Sequence, residues 1–365
     1  MNKKAILFKG NGTDASDMRY ASGFAAPDDF LFLVHENRRI CLVSPLEYDR
    51  ARASVLPGVE VRRSTDSTVE AVKGLCSELG LVSLTVPGSF PLGLAEKLRA
   101  AGLEITPAEE RLFPEREFKS QEEVQKITAS LRAAEAGCRR AIGILRESDI
   151  AKDRTLVWQG APLTSEILRA EVDCTMLKLG MTPTGTICAG GLQAAQPHNQ
   201  GSGVIPADFP VVLDIFPKSA VTGYWGDLTR TVVRGKPSDF MRRAYDAVLE
   251  AREFAKSCVR PGAIPAEIHK CAANILEKHG FATGHDEHGD YGFFHGLGHG
   301  VGLDIHEFPR LSPRATTPLE PGIVVTDEPG LYYPDKGGIR LEDMIYLSPE
   351  GKCVTLTEIE DEFIL

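Results

Sequence analysis

The sequence lacks the features that mark membrane-spanning, nucleic-acid-binding or secreted proteins. No apolar stretch approaches the length needed to cross a bilayer, and the short apolar run near the start is interrupted by Lys9. Basic residues are in the minority: 41 Lys and Arg stand against 51 Asp and Glu, and the formal charge of -10 would repel a phosphate backbone. We therefore expect a cytoplasmic protein that binds neither nucleic acid nor membrane.

The sequence also lacks paired cysteines. Its 8 cysteines are scattered and form no Cys-x-x-Cys motif, in a chain large enough to fold without covalent cross-links. An even number of cysteines would permit disulfides, but no secretory signal supports them. We expect reduced thiols.

The composition is that of a soluble globular protein with two domains. A chain of 365 residues with 42% hydrophobic residues exceeds one typical domain. The first third alternates predicted strands, at 30–34 and 40–43, with predicted helices at 69–78 and 93–101, which indicates a small α/β domain. The pattern changes near residues 113–117, and a long helical periodicity follows at 121–146. We therefore predict domains 1–118 and 119–365.

The second domain is predicted to be α+β. Its helices are expected at 240–259, which Pro261-Gly262 closes, and at 265–279, which begins with a proline and is followed by Gly280. Its predicted strands are 211–216, 224–233, 295–303, 323–328 and 339–346.

Two aspartates lie at neighbouring strands of this second domain. Asp214 ends the apolar run Val-Val-Leu, and Asp227 follows a turn-forming segment that would bring the next strand back beside it. Either aspartate alone is more typical of a cap or turn residue. Held close together, two carboxylates raise each other's pKa or bind a cation, so the pair indicates a metal site.

Residues 295–307 are the most informative stretch. His295, His299 and His306 lie among four glycines, where an ordinary core strand would carry β-branched residues. On a strand, His295, Leu297 and His299 would share one face. A single histidine is more often a hydrogen-bonded core residue, but three in one glycine-rich run favour a functional site.

Two further carboxylates end strands in similar turns. Glu328 precedes Pro-Gly, and Glu342 follows Arg340 on the same predicted face, where the simpler interpretation is an intrastrand ion pair. Together with the two aspartates and His299, they form an oxygen-rich ligand set that suits two divalent ions better than one structural zinc ion. Such ions would lie about 3.5 to 4 Å apart and share a water or hydroxide, the expected nucleophile.

At these residues the chain resembles the pita-bread metallopeptidase family, which includes aminopeptidase P, prolidase, methionine aminopeptidase and the metal-free creatinase. Residues 20–24, Tyr-Ala-Ser-Gly-Phe, are similar to the family's creatinase/prolidase N-terminal domain, and Phe118-Lys119-Ser120 resembles the usual entry into the catalytic domain. The resemblance implies a C-terminal pita-bread catalytic domain preceded by a smaller α/β domain. One departure is a loop between Asp214 and Asp227 that is two residues longer than the usual pattern.

The resemblance also implies roles for individual residues. Asp214 would chelate one metal ion, Asp227 and Glu342 would bridge both, and His299 and Glu328 would complete the second site. Glu328 would also transfer a proton from the bridging water. The remaining candidates would bind substrate or stabilise the tetrahedral intermediate, and they are His198, His295, His306, Arg310 and Arg340.

Some of these assignments carry alternatives. His198 could equally be a surface-loop histidine. Arg310 matches the position where prolidases hold the C-terminal carboxylate of a dipeptide, with an ion pair as the simpler interpretation and Arg314 as a weaker candidate for the task. The histidines that match no motif are expected to be solvated: His35, His269, His279, His285 and His288.

The function implied by the resemblance is hydrolysis of the bond between an N-terminal residue and a following proline in short peptides. The ions would be manganese first, with cobalt or zinc as alternatives, and proline-directed relatives are often homodimers. A methionine aminopeptidase would use the same five ligands, but it usually lacks the additional N-terminal domain. A non-catalytic pita-bread binding protein is a further alternative, although such relatives replace several ligands.

Overall fold

The protein is described here by a computed structural model covering residues 5–287 and 289–365. The chain divides into two compact units, one ending at Arg116 and the other comprising Glu117–Leu365. Among the described residues, no helix combines the length and apolar character that crossing a membrane would require.

The first unit contains a six-stranded mixed sheet flanked by helices. Its elements are β1 (Ile6–Gly10), α1 (Ser16–Ser22), β2 (Phe30–His35), β3 (Arg38–Val43), α2 (Tyr48–Ser54), β4 (Val59–Arg63), α3 (Thr68–Leu79), β5 (Ser83–Val86), α4 (Leu92–Ala100) and β6 (Glu104–Pro107). The strand order is β4-β3-β2-β1-β5-β6, with the β2–β3 hairpin antiparallel and β4, β5 and β6 each parallel to a neighbour. The unit is an α/β domain, as the sequence predicts.

Both faces of the central strands of this sheet are buried. Successive side chains on a strand point to opposite faces, so Leu7 joins an apolar cluster with α3 and α4, whereas Phe8 joins another with α1 and α2. Leu31 and Phe32 divide between the two clusters in the same way. This double burial explains why the strands are apolar throughout rather than alternating.

The described residues of the second unit form four α-helices. They are α5 (Gln121–Glu147), α6 (Ser165–Lys178), α7 (Asp239–Cys258) and α8 (Pro265–Lys278). α5 begins with a capping box, in which the Ser120 side chain accepts the Glu123 N–H and the Glu123 carboxylate accepts the Ser120 N–H. The predicted helices 121–146, 240–259 and 265–279 each agree with these bounds to within one residue.

The strands of this unit are short and form several antiparallel sheets. They are β7 (Asp149–Ile150), β8 (Leu156–Trp158), β9 (Ala161–Pro162), β10 (Met181–Thr182), β11 (Ile187–Gly190), β12 (Val211–Asp214), β13 (Lys218–Ser219), β14 (Thr229–Val232), β15 (Gly284–Asp286), β16 (Gly289–Tyr291), β17 (Gly298–Gly300), β18 (Glu307–Leu311), β19 (Val324–Asp327), β20 (Gly330–Tyr333), β21 (Gly337–Arg340), β22 (Asp343–Leu347) and β23 (Cys353–Thr355). Helices and antiparallel sheets together make the unit α+β, as the sequence predicts.

Two of these sheets position the candidate site. One has the order β11-β12-β14 and the other β18-β17-β19-β22-β23. The end of β21 and the residues that connect it to β22 hydrogen-bond to β14. The Thr231 hydroxyl donates to the Arg340 carbonyl at 2.8 Å, and the Glu342 N–H donates to the Thr229 carbonyl at 3.0 Å. The start of β22 in the second sheet therefore lies beside β14 of the first sheet.

Several predicted strands are shorter than expected. The predicted strand 295–303 is regular only over Gly298–Gly300, and the predicted strand 224–233 only over Thr229–Val232. Leu297 packs in the apolar core with α7 and α8, so it does not share a face with His295 and His299 as predicted. The alternation fails because residues 295–297 are not in extended strand conformation.

Candidate metal centre

Asp214 is the last residue of β12, opposite Thr229 on β14. Its Oδ2 accepts a hydrogen bond from the Arg340 guanidinium at 2.6 Å, and the two side chains are 13% and 4% exposed. Burial raises the pKa of Asp214, an effect that Arg340 opposes and Glu328 reinforces. The simpler interpretation of Arg340, an intrastrand ion pair with Glu342, does not apply, because Arg340 pairs with the buried Asp214 instead.

Asp227 lies in the irregular segment just before β14. The preceding Gly226 packs on helix α5, where a Cβ would lie 2.3 Å from the Leu131 nitrogen, so only glycine allows this approach. Asp227 is 4% exposed, and its pKa is raised well above the usual value by burial and by the charge of Asp214. The two aspartates are therefore close enough to repel each other, as the hairpin prediction requires.

His299 is placed by its two glycine neighbours. A Cβ on Gly298 would lie 2.1 Å from the Thr326 carbonyl oxygen, and one on Gly300 would lie 2.2 Å from that of Phe308. Glycine at both positions lets β19 and β18 close in on either side of β17. The imidazole, which is 8% exposed, is thereby held in a buried position.

The His299 ring is oriented towards carboxylates. Its Nδ1–H donates to the Gly300 carbonyl at 3.2 Å, which leaves Nε2 directed at Glu328 Oε1 at 3.3 Å and Asp227 Oδ2 at 3.7 Å. Burial opposes protonation of His299, but its hydrogen bond to Glu328 and the nearby carboxylates raise its pKa. Burial likewise opposes ionisation of Glu328, yet His299 lowers the Glu328 pKa to about 2.

Glu342 is the least exposed of the four candidate carboxylate ligands. It is 2% exposed, and its Oε2 accepts the Thr229 hydroxyl at 2.8 Å. Burial and then the charge of Asp227 raise its pKa well above the usual value. An accumulation of buried carboxylates that oppose each other's ionisation is the environment that a multivalent cation relieves.

The side chains fit a divalent metal ion. Asp227, His299 and Glu342 each offer one ligand atom, and these three atoms lie within 4.8 Å of one another. Carboxylate oxygens with one imidazole nitrogen are ligands for manganese, cobalt and zinc. Asp214 and Glu328 border the same cavity and enlarge the set to five.

All ten predicted site residues border one cavity of about 740 Å³. They are Asp214, Asp227, His299, Glu328, Glu342, His198, His295, His306, Arg310 and Arg340. Arg314, the weaker candidate, is exposed and is not among the residues that border the cavity. The structure thus brings the ten together, and their individual roles stay predictions.

One hydrogen-bonded chain connects the cavity wall to Asp214. Burial lowers the pKa of His295, whose Nδ1–H donates to the Gly296 carbonyl at 2.7 Å, so its Nε2 accepts the Tyr332 hydroxyl at 3.0 Å. The Tyr332 oxygen in turn accepts from the Arg340 guanidinium at 2.8 Å. Sequence reasoning missed Tyr332, although its place directly after Glu-Pro-Gly-Leu was an available signal.

Thr229 is a second residue that sequence reasoning missed. Its hydroxyl donates to Glu342 at 2.8 Å and accepts from Arg340 Nε at 3.3 Å, so it links a candidate ligand to the arginine that holds Asp214. Its position two residues after Asp227, in Asp-Leu-Thr-Arg-Thr, was the available signal in the sequence.

His306 stands beside His299 at the cavity wall. The two ring centres are 4.3 Å apart and the ring planes meet at 82°. Burial and then the charges of His299 and Arg310 lower the pKa of His306 to about 4, so its imidazole is neutral at pH 7. A neutral imidazole can donate one hydrogen bond and accept another. His198, by contrast, is exposed where it borders the cavity.

The prediction that the remaining histidines are solvated is wrong for His269. This residue of α8 is 9% exposed and stacks on Phe293, with ring centres 5.0 Å apart. His279 and His285 are exposed and His35 is partly buried, whereas His288 lies outside the described residues. His269 is buried because it occupies the inward face of an amphipathic helix, between Ile268 and Ala272.

Comparison with known proteins agrees with this architecture. Residues 125–349 match metallopeptidase family M24, and residues 5–117 match the creatinase/prolidase N-terminal domain. The Xaa-Pro dipeptidase of Pyrococcus horikoshii is 31% identical over 93% of this chain and 90% of its own.

Solved structures show the same fold over nearly the whole chain. The prolidase from Pyrococcus horikoshii OT3 superimposes with a TM-score of 0.84 at 30% identity, covering 99% of this chain and 95% of the other. The X-Pro aminopeptidase from Thermotoga maritima superimposes with a TM-score of 0.84 at 25% identity, covering 99% of this chain and 97% of the other. The pita-bread fold with a creatinase-type N-terminal domain, expected from the sequence, is confirmed.

Proposed function

Because the chain belongs to metallopeptidase family M24, we propose that it hydrolyses the peptide bond between an N-terminal residue and a following proline in short peptides, using two divalent metal ions. The observation that carries this proposal is the convergence of Asp227, His299 and Glu342, whose ligand atoms lie within 4.8 Å of one another in a cavity that Asp214 and Glu328 also border.

The five candidate ligands would hold manganese, with cobalt or zinc as alternatives. Asp214 would bind one ion, Asp227 and Glu342 would bridge both, and His299 and Glu328 would bind the other. Two ions held there would lower the pKa of a shared water and polarise the scissile carbonyl. The charge of the ions would also offset the repulsion that raises the pKa values of Asp227 and Glu342.

The side chains around the ligands would handle protons and substrate. Glu328 borders the cavity with its Oε1 3.3 Å from His299 Nε2, and a carboxylate in this place would accept a proton from the attacking water. His306 is neutral and can donate a hydrogen bond to the developing oxyanion, a task that His198 would share. The Tyr332 hydroxyl holds the ring of His295, which forms part of the cavity wall.

Peptide length would be set by the cavity residue that meets the far end of the substrate. Arg310 borders the cavity and its guanidinium suits the C-terminal carboxylate of a dipeptide. A volume of about 740 Å³ lies in the range of small-molecule sites and suits a short peptide rather than a folded chain. The relatives described above include both a dipeptidase and an aminopeptidase, so the preferred length is a matter for experiment.

The proposal is tested by comparing three peptides. The protein is stripped of metal, reloaded with manganese, and incubated with Ala-Pro, Ala-Pro-Ala and Met-Ala-Ala. We expect cleavage of the proline peptides: preference for Ala-Pro indicates a prolidase and preference for Ala-Pro-Ala an aminopeptidase P. Cleavage of Met-Ala-Ala alone would replace the proposal by a methionine aminopeptidase activity.

Two variants test the assignment of the metal ligands. Asp227→Asn and His299→Ala each remove a ligand without removing much core volume, so both are expected to fold and to lose hydrolysis. Metal analysis of the same preparations separates the enzyme from a non-catalytic pita-bread protein. A wild-type protein that binds no metal and gains no activity from it would support the latter.

Three broader expectations stay proposals alongside this function. All 8 cysteines are free, which supports a reducing, cytoplasmic location. The family resemblance supports a homodimer, which light scattering on the purified protein would measure. We also propose that residues 119–365 act as the catalytic domain and 1–118 as the N-terminal domain.

A further inference from the structure

Lys119 is a buried cation near the start of the second unit. Its ammonium lies 2.5 Å from Glu307 Oε1, and the two side chains are 1% and 10% exposed. Its backbone N–H donates to the Gly322 carbonyl at 2.7 Å, and its ammonium also donates to the Glu117 carbonyl at 3.3 Å. The pair therefore joins segments that are 188 residues apart in the chain.

Glu307 packs against the turn that connects β17 to β18. Its Oε1 lies 2.3 Å from where a Cβ on Gly302 would be, so the carboxylate occupies the space that a larger residue would need. Its Oε2 accepts the Asp304 N–H at 3.4 Å. The register of the β17–β18 pair shifts between His299 and Gly300, so the ladder by itself does not determine the path of this turn.

The same turn carries His306, which directly precedes Glu307. Its ring is 4.3 Å from the ring of His299 and borders the cavity. The other end of the turn is held by Trp225, whose backbone N–H donates to the Gly302 carbonyl at 2.9 Å and whose indole N–H donates to the Leu303 carbonyl at 3.0 Å. Trp225 thus anchors the start of the turn, and Glu307 anchors its end.

We propose that Lys119 is a positioning residue for the reaction: it fixes the Glu307 carboxylate, which fixes the turn and hence the imidazole of His306. This inference rests on the proposed function, which assigns His306 a hydrogen bond to the developing oxyanion of the substrate. Stability alone is a poor explanation for the pair, because a buried ion pair is often no more stabilising than apolar residues of the same volume. The contacts instead support a role in which the ion pair holds the turn in one conformation.

The test is a set of variants assayed with the manganese-loaded enzyme and Ala-Pro or Ala-Pro-Ala. Lys119→Met is expected to lower kcat about 10- to 100-fold, the usual effect of removing a supporting residue, while KM and manganese affinity change less than about twofold. Lys119→Arg keeps the charge and is expected to recover most of kcat. Because Lys119→Met removes the ammonium partner of the buried Glu307 carboxylate and can reduce folding, the variant Lys119→Met/Glu307→Gln removes both charges together.

A second readout does not depend on activity. With histidines labelled at ring Cε1, the metal-free protein gives an NMR signal for His306 that the variant His306→Gln identifies. Lys119→Met and the double variant are expected to shift or broaden this signal. If the wild-type enzyme cleaves none of the peptides, the proposed function fails, but the NMR signal still decides whether Lys119 positions His306.

The control is a more exposed ion pair of the same unit, in which both side chains are 38% exposed. Arg140→Met breaks the 2.6 Å pair of Arg140 with Glu171 between α5 and α6 and is expected to change neither kcat nor the His306 signal. Wild-type kcat and an unchanged His306 signal in the folded double variant would overturn the proposal. So would a loss of kcat that Arg140→Met reproduces, because the loss would then follow general destabilisation.

Discussion

Replacing Asp227 by Asn should stabilise the metal-free protein and destabilise the metal-loaded protein. Asp227 is 4% exposed, and burial and the charge of Asp214 raise its pKa well above 3.8. When the pKa of a carboxyl is higher in the folded state than in the unfolded state, the free energy of unfolding decreases as the pH rises above the unfolded-state pKa. Without metal, Asp227→Asn removes that cost at neutral pH, whereas below about pH 4 the two proteins should unfold alike.

With manganese the order should reverse. A ligand present at 100 times its dissociation constant stabilises the folded state by about 2.7 kcal/mol per site, which for a domain of this size raises Tm by roughly 5 to 10 °C. Asp227 is proposed to bridge both ions, so its loss should remove most of this gain. The variant would then unfold at nearly the same temperature with and without manganese.

The assay is thermal unfolding at pH 7.5, followed by circular dichroism, in chelator and in excess manganese. Asp246→Asn, on the exposed side of α7, is the control for loss of one acidic charge and should respond to manganese like the wild type. A manganese-induced rise in Tm of wild-type size in Asp227→Asn would refute the assignment of this carboxylate as a ligand. A metal-free variant less stable than wild type would refute the argument from repulsion.

Three further outcomes follow from single residues. Glu328→Gln should lower kcat at least about 100-fold, since it removes the proposed proton acceptor, and unaltered turnover would exclude that role. Gly298→Ala would place a Cβ 2.1 Å from the Thr326 carbonyl, so β17 must shift, and calorimetry should show a large loss of manganese affinity. Burial and then His295 lower the pKa of His269 from 6.5 to about 4, so stability falls as the pH drops between these values. His269→Leu should flatten that dependence in urea unfolding of the metal-free protein, and an unchanged slope would contradict the assignment.

Helices were predictable because their signals are local. The capping residues Ser120 and Glu123 lie three positions apart, and Pro265 starts α8 at the position where proline is tolerated. Each signal acts within one or two turns of the helix that it limits. Predicted and observed bounds therefore agree closely for α5, α7 and α8.

Strands near the site were less predictable because their glycines have two effects. The glycine-rich run around His299 indicated close approach of other backbone segments, which the structure shows at Gly298 and Gly300. The same glycines interrupt regular pairing, so only three residues of the run form β17. Leu297 consequently turns into the core instead of sharing a face with the histidines.

The sequence by itself determined the two fold classes, the family resemblance and the residue types gathered in the cavity. A carboxylate at the end of an apolar strand is an unusual pattern within a few residues, and so is a histidine in a glycine-rich run. Each pattern can therefore be recognised without knowledge of the fold. Only the tertiary structure decided the partners: Asp214 meets Arg340, which is 126 residues away, and Lys119 meets Glu307 across 188 residues. Such contacts leave no periodic trace in the sequence, because they depend on where whole sheets and turns pack.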